Sequence, residues 1–181
     1  LKRKTLVEDT QAWLQEIRSD YVWLMTFPWR IPVALLDTLP GRFYNFHYGL
    51  LPQMRGVDPV FECIRRKNTE SGITVHQVTP EIDKGPVLAV QKIPLGTTIT
   101  HGLLCTQMAN VAPQLCQQLI VLFQQYPDPP VQPQEDEEAV YYGRPGLQDV
   151  VINWNKLDSL SIEALVRACN PWNKGARIRV L

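Results

Sequence analysis

Short apolar runs, broken by prolines and polar turns, alternate along this chain with stretches whose apolar residues recur at helical spacing. That alternation predicts an α/β fold. Trp13, Leu14 and Ile17 lie on one stripe and predict a helix from Glu8 to Ser19. Tyr21-Val22-Trp23-Leu24-Met25 is a short apolar run suited to a strand buried on both faces. Phe27 to Pro32 reads as a loop, with Pro32 in the first turn of a helix over Val33 to Thr38. A strand over Arg42 to His47 follows, and Leu50-Leu51-Pro52 breaks it.

Asp58-Pro59 is a helix start, an N-capping acid before proline, and Phe61 and Ile64 carry that helix to about Lys67. Ile73 to Thr79 and Val87 to Ile93 read as a hairpin-like pair of strands, with Asp83-Lys84-Gly85-Pro86 turning between them. From Thr100 to Gln125, Leu104, Met108, Val111, Leu115, Leu119 and Leu122 form a helical core stripe. Pro113 is expected to kink or divide it. Four prolines and the acidic run Glu135 to Glu138 then predict an extended, solvated linker. Beyond it Ser159 or Ser161 is expected to cap a short helix bearing Ile162, Leu165, Val166 and Cys169. The organisation expected is a main domain over 1–126, a Pro/acid-rich linker over 127–140 and a further domain beginning in 141–181.

Composition changes this picture little. A chain of 181 residues with 45% hydrophobic content supports one medium α/β domain and a smaller appendage. The 18 basic and 18 acidic residues balance, which counts against an extended nucleic-acid surface without excluding a local patch. Cys63, Cys105, Cys116 and Cys169 show no metal-type or redox spacing and read as buried free thiols in a reducing compartment. No apolar run approaches the roughly 20 residues that span a bilayer. No signal peptide is visible at Leu1-Lys2-Arg3-Lys4, so the expectation is cytoplasmic, with no membrane and no metal.

The candidate chemistry sits in Phe43-Tyr44-Asn45-Phe46-His47 and in Asp83-Lys84-Gly85. Asn45 and His47 alternate on one strand, so both side chains share a face near its C-terminal end, where open α/β sheets place their sites. An amide can donate to a developing oxyanion, an imidazole can handle a proton, and a carboxylate can orient it. These are parts for moving an acyl group between amines. The residues alone also allow a plainer reading: polar groups capping a strand end, and ordinary Asp-Gly turn chemistry at Asp83. Geometry must decide.

The same residues resemble the signature of the formyltransferases that use 10-formyltetrahydrofolate. Asn45-Phe46-His47-Tyr48-Gly49-Leu50-Leu51-Pro52, then Gly56, then Asp83-Lys84-Gly85 follow the family order, with Glu70 to His76 similar to its Thr-Gly-Val-Thr-Ile strand. Gly49 departs from it, since Ser is usual there. Ile152-Asn153-Trp154 and Leu165 to Trp172 resemble the opening of the C-terminal domain in the methionyl-tRNA formyltransferase branch. The resemblance covers about Trp13 to Tyr126 and implies a Rossmann-like formyltransferase sheet that lacks the family's opening βαβ region.

It further implies formyl transfer from 10-formyltetrahydrofolate to a primary amine, most directly that of methionyl-tRNA, by Asn45, protonated His47 and Asp83. Phe27, Trp29, Ile31, Glu81 and Ile82 are the implied folate contacts. Arg55 and Gly56 are the implied acceptor contacts, with a solvated surface role for Arg55 as the plainer alternative. His76 and His101 are assigned no part. Alternatives are a sugar-nucleotide or other small amine as acceptor, hydrolysis of formylfolate to formate, and a non-catalytic folate-binding module.

Overall fold

The computed structural model describes residues 3–171 and 175–178, with residues 3–6 as helix backbone only. Helix α1 (Arg3–Glu16) precedes strand β1 (Val22–Met25), helix α2 (Val33–Leu36) and strand β2 (Phe43–His47). Strand β3 (Arg55–Gly56), helix α3 (Pro59–Arg65), strands β4 (Glu70–Gln77) and β5 (Val87–Pro94) and helix α4 (His101–Gln125) follow. The chain continues through β6 (Tyr141–Tyr142), β7 (Val151–Ile152), α5 (Ser159–Ala168) and β8 (Arg177–Ile178).

The central sheet runs β1-β2-β4-β5, with β1 parallel to β2 and the other two pairings antiparallel. It is mixed α/β, as the alternation predicts. Because strand side chains alternate, β2 faces two ways. Tyr44 and Phe46 enter the main core with Phe61, Ile64, Ile73, Val75, Leu104, Met108, Leu115 and Leu119. Phe43 points to the other face, into a smaller cluster with Leu14, Leu35 and Leu36 from α1 and α2. Asn45 and His47 share that second face, beyond the small cluster, at the end where β2 leaves the sheet.

Local chemistry explains most boundaries and corrects some. α1 stops before Ser19, with Arg18 in the left-handed region at φ 50°. Pro32 is the N-cap of α2 and lies outside its first turn. Asp58 caps α3 by accepting from the Phe61 N–H at 3.0 Å, with Pro59 first in the helix. Asp158, rather than either serine, caps α5, accepting from the Ser161 N–H at 2.7 Å. A carboxylate is the stronger acceptor there. α4 runs unbroken through Pro113, whose missing N–H leaves an orphan only at the carbonyl of the exposed Ala109, where water can satisfy it.

α5 packs along α3, and Val150, Ile152, Leu165, Ala168 and Cys169 belong to the main core. The Asn170 carbonyl accepts from the Gly102 N–H at 3.0 Å, while Trp172 of the sequence motif lies outside the described residues. All four cysteines are free. Cys63 and Cys169 are buried, but Cys105 is exposed, against expectation.

The α3–α4 junction carries a buried pair, His101 Nε2 lying 3.6 Å from Asp58 Oδ1. Burial alone would lower the imidazole pKa. Hydrogen bonding to Asp58 and Cys105 overrides it and raises it to about 9. His101 is therefore charged at neutral pH. A folded pKa above the ordinary 6.5 gives stability that is complete below pH 6.5 and lost as pH rises through about 9. The melting temperature is expected to fall between about pH 7 and about pH 9.5, and a His101→Gln variant should lack that decline. An identical alkaline decline in the variant would remove the pair as its cause.

Candidate active site

β2 ends at His47, and its antiparallel partner β4 places His76 opposite Asn45 and Thr74 opposite His47. Directly opposed residues of an antiparallel pair share a face. Asn45 Nδ2 lies 3.3 Å from His76 Nε2. Thr74 Oγ1 donates to the Gly49 carbonyl at 2.7 Å and accepts from the Leu51 N–H at 3.2 Å, holding the chain as it leaves β2. Gly49 itself leaves no room for a side chain: an added Cβ would stand 2.6 Å from Pro59 Cβ and 3.2 Å from His47 Nε2. A side chain at this position would therefore require Pro59 to shift.

Asp83 is delivered from the β4–β5 turn with a left-handed φ of 54°. Its Oδ2 accepts from the Gly56 N–H at 2.9 Å. Its Oδ1 stands 3.6 Å from His47 Nδ1 and 3.6 Å from His76 Nε2. The outer nitrogens of both rings face carbonyl oxygens, His47 Nε2 at 2.6 Å from Met54 O and His76 Nδ1 at 2.8 Å from Gln77 O. A carbonyl only accepts, so each outer nitrogen carries a proton. The inner nitrogens therefore converge on one carboxylate oxygen. In its neutral form His76 accepts at Nε2 from the Asn45 amide. A proton added to either inner nitrogen would turn its 3.6 Å approach into a charge-assisted contact with Asp83.

Burial is the largest influence on His47 and lowers its pKa below 6.5, outweighing the attraction of Asp83 and the Met54 hydrogen bond. The expectation of a protonated His47 held by Asp83 is thus corrected. At neutral pH the ring is neutral, because desolvation of a buried cation exceeds one carboxylate's pull. For Asp83 burial acts upward, but hydrogen bonding with His76, attraction to the His47 ring when it is protonated and the Gly56 N–H prevail and hold the carboxyl below 3.8. At neutral pH the site therefore rests as one carboxylate beside the neutral His47 ring, with the His76 ring and the Asn45 amide alongside.

His76 is the site residue that sequence reasoning misses. Its alternation on β4 is visible there, but its register against Asn45 is not. Arg55 is a second correction. It is 1% exposed, neither a surface arginine nor open to an acceptor, because Gln134, Asp136 and the Tyr141 hydroxyl occupy its guanidinium. Gly56 supports Asp83 through its backbone.

Phe27 and Trp29 are exposed on the loop after β1 and meet edge to face at 5.4 Å. That loop leaves β1 at Met25, which is in register with Phe46 beside His47. Ile31 packs on the small cluster of α1 and α2. In the turn, the carbonyls of Glu81 and Ile82 already accept, from Thr79 Oγ1 at 3.0 Å and from the Tyr141 hydroxyl at 3.1 Å. The side chain of Ile82 is exposed.

The linker is likewise not a free spacer. Arg42 holds the Pro127 carbonyl and Asp128, Gln132 bridges to Val87, and β6 pairs in parallel with β3. Most of the segment remains solvated, yet it is fastened from end to end. Among the described residues no helix is long and apolar enough to cross a membrane, and no group of three or more His, Cys, Asp or Glu side chains could hold a metal ion.

A mixed sheet whose strand end presents an amide, two imidazoles and a shared carboxylate defines an α/β protein with a buried cluster of titratable groups. The chain belongs to the formyl transferase family, whose model matches residues 2–120. It is 31% identical over 167 residues to a methionyl-tRNA formyltransferase of Aromatoleum aromaticum, across 91% of this chain and 52% of the relative. The chain thus spans about half the length of such curated relatives. Among solved structures, HypX from Aquifex aeolicus in complex with tetrahydrofolic acid matches with a TM-score of 0.79 at 17% identity, over 96% of this chain and 30% of that one. WlaRD, a sugar 3N-formyl transferase solved in the presence of dTDP and 5-N-formyl-THF, matches at 0.72 and 21% identity, over 82% and 53%. At such identities the likeness is one of fold.

Proposed function

We propose that this protein transfers a formyl group from 10-formyltetrahydrofolate to a primary amine, with the amine of methionyl-tRNA as acceptor. The observation that carries the reading is the convergence of His47 and His76 on Asp83 Oδ1, beside the Asn45 amide. The folate supplies a formyl carbon open to attack. Asn45 Nδ2 donates to the oxygen on which negative charge builds, an interaction worth roughly 2.7–4 kcal/mol per donor in comparable sites. The proton released by the attacking amine is taken up by the cluster, at His47 Nδ1 or His76 Nε2, where Asp83 stabilises the resulting cation. It is returned to the folate nitrogen as the bond from that nitrogen to the formyl carbon breaks and tetrahydrofolate leaves. Phe27 and Trp29 offer exposed ring faces for the folate at the same sheet end, and Ile82 offers an apolar side chain from the turn.

The curated methionyl-tRNA formyltransferase relatives support the tRNA acceptor. The balance of 18 basic against 18 acidic residues supports a second reading, a small amine such as that of an amino sugar, which needs no extended basic surface. The test is a turnover assay on the intact protein with 10-formyltetrahydrofolate, offering methionyl-tRNA, amino-sugar nucleotides and water alone. Formylation of methionyl-tRNA is the expected result. Product from the amino sugar alone would select the second reading, and formate without an acceptor would replace transfer by hydrolysis.

Because the buried His47 must be neutral to accept a proton, kcat at saturating acceptor amine is expected to stay level through about pH 7 and to fall only below pH 6.5. An acid limb centred above about pH 7 would exclude His47 as acceptor.

A further inference from the structure

We propose that Gln134 is a positioning residue for Asp83, and that residues 132–142 form a strap that clamps the turn presenting its carboxylate; this rests on the proton-handling role given to Asp83 above. The Gln134 amide stands between two groups of opposite character. Its Oε1 accepts from Arg55 Nε at 3.1 Å and Nη2 at 2.8 Å. Its Nε2 donates to the Asp83 carbonyl at 2.8 Å and the Gly85 carbonyl at 2.7 Å. A guanidinium only donates and a carbonyl only accepts, so an amide alone among side chains of this length satisfies both ends. Glutamate lacks the donors and methionine lacks both.

The clamp acts where the backbone is least self-supporting. Asp83 is a non-glycine residue at φ 54°, a conformation that persists only when its surroundings impose it. Tyr141 adds a hydrogen bond from its hydroxyl to the Ile82 carbonyl at 3.1 Å, so three carbonyls of one turn are held by the strap. The far side of the strap is tied to Arg55, whose Nη1 reaches Asp136 Oδ1 at 2.8 Å and whose guanidinium lies 5.3 Å from the Tyr141 ring centroid. Lys84 crosses the turn to Asp136 at 3.5 Å. Gly56, next to Arg55, holds the Asp83 carboxylate itself. Backbone and carboxylate of Asp83 are therefore located from the same anchor, and a segment that reads as a spacer completes the site.

Gln134→Met in the intact protein tests this, with Tyr141→Phe as a milder variant on the exposed rim and Asp83→Asn in parallel. The expected result for Gln134→Met is a kcat about 10-fold to 100-fold lower, the scale set by displacing a catalytic group by about 1 Å. KM for donor and acceptor should change less than about threefold, since the Gln134 amide is occupied by Arg55 and by the carbonyls of Asp83 and Gly85. The 13C titration midpoint of the Asp83 carboxyl should rise as its contacts with His76, His47 and Gly56 loosen. Tyr141→Phe should lower kcat by a smaller factor, about threefold. A folded Gln134→Met with kcat within about twofold of wild type and an unmoved Asp83 titration would overturn the clamp. If Gln134→Met does not fold, Tyr141→Phe decides: lost kcat at unchanged KM supports the clamp, and unchanged kcat overturns it. Activity retained in Asp83→Asn removes the catalytic reading itself. Activity lost there but kept in Gln134→Met removes only the strap.

Discussion

Replacing Asp83 by Asn is expected to lower kcat for formyl transfer by about a thousandfold while the protein stays folded. General acid–base groups contribute roughly 10²–10⁴-fold in rate, so a thousandfold loss corresponds to about 4 kcal/mol of barrier. Asn is the informative substitution because it tolerates the left-handed φ of 54° that Asp83 adopts, where Ala would add backbone strain. The amide still accepts from the Gly56 N–H, but it carries no charge to stabilise a proton on His47 or His76. Single-turnover rates with a formylfolate donor would measure the effect, beside thermal melting of the variant. The native carboxyl is held below 3.8, so its contribution to stability is present above that value and lost as pH falls through the lower folded pKa. Asp83→Asn should accordingly melt less steeply with acid. Turnover within about threefold of wild type in a folded variant would end the proposed role.

Gly56→Ala is expected to destabilise the fold by about 3 kcal/mol and to lower activity beyond what stability explains. Gly56 sits at φ 119°, outside the region open to L residues, and an added Cβ would lie 2.0 Å from the Tyr142 carbonyl oxygen. Backbone strain and overpacking each cost about 1–3 kcal/mol, and neither can be relieved by turning a side chain. Relief requires β6 to move off β3, which takes Tyr141 and the strap with it. The Gly56 N–H that fixes Asp83 Oδ2 moves too. Urea denaturation reports the stability loss, and activity of the remaining folded fraction reports the displaced carboxylate. A variant with an unchanged urea midpoint would show that β3 and β6 separate freely.

Local patterns that depend on neighbours in sequence are legible. The apolar stripe of α4, the Asp58-Pro59 start of α3 and the two strands around the Asp83 turn depend on spacing and capping within a few residues. The pairing of Asn45 with His47 on one face follows from strand alternation alone. What the sequence hides depends on partners distant along the chain. Arg55 is one case: nothing near it in sequence indicates that Gln134 and Asp136 would surround it. The solvated look of residues 127–140 is another, since prolines and acids describe an extended segment equally well when it is docked.

By its sequence the chain determined its class of fold and the residue types available for chemistry, because periodicity and motif order are properties of the linear polymer. Only the tertiary structure decided that His76 joins Asn45 through strand register, that burial leaves His47 neutral, and that Asp83 is held from behind by a strap. Register, desolvation and long-range hydrogen bonding arise from atoms meeting in space, and no local spacing encodes them.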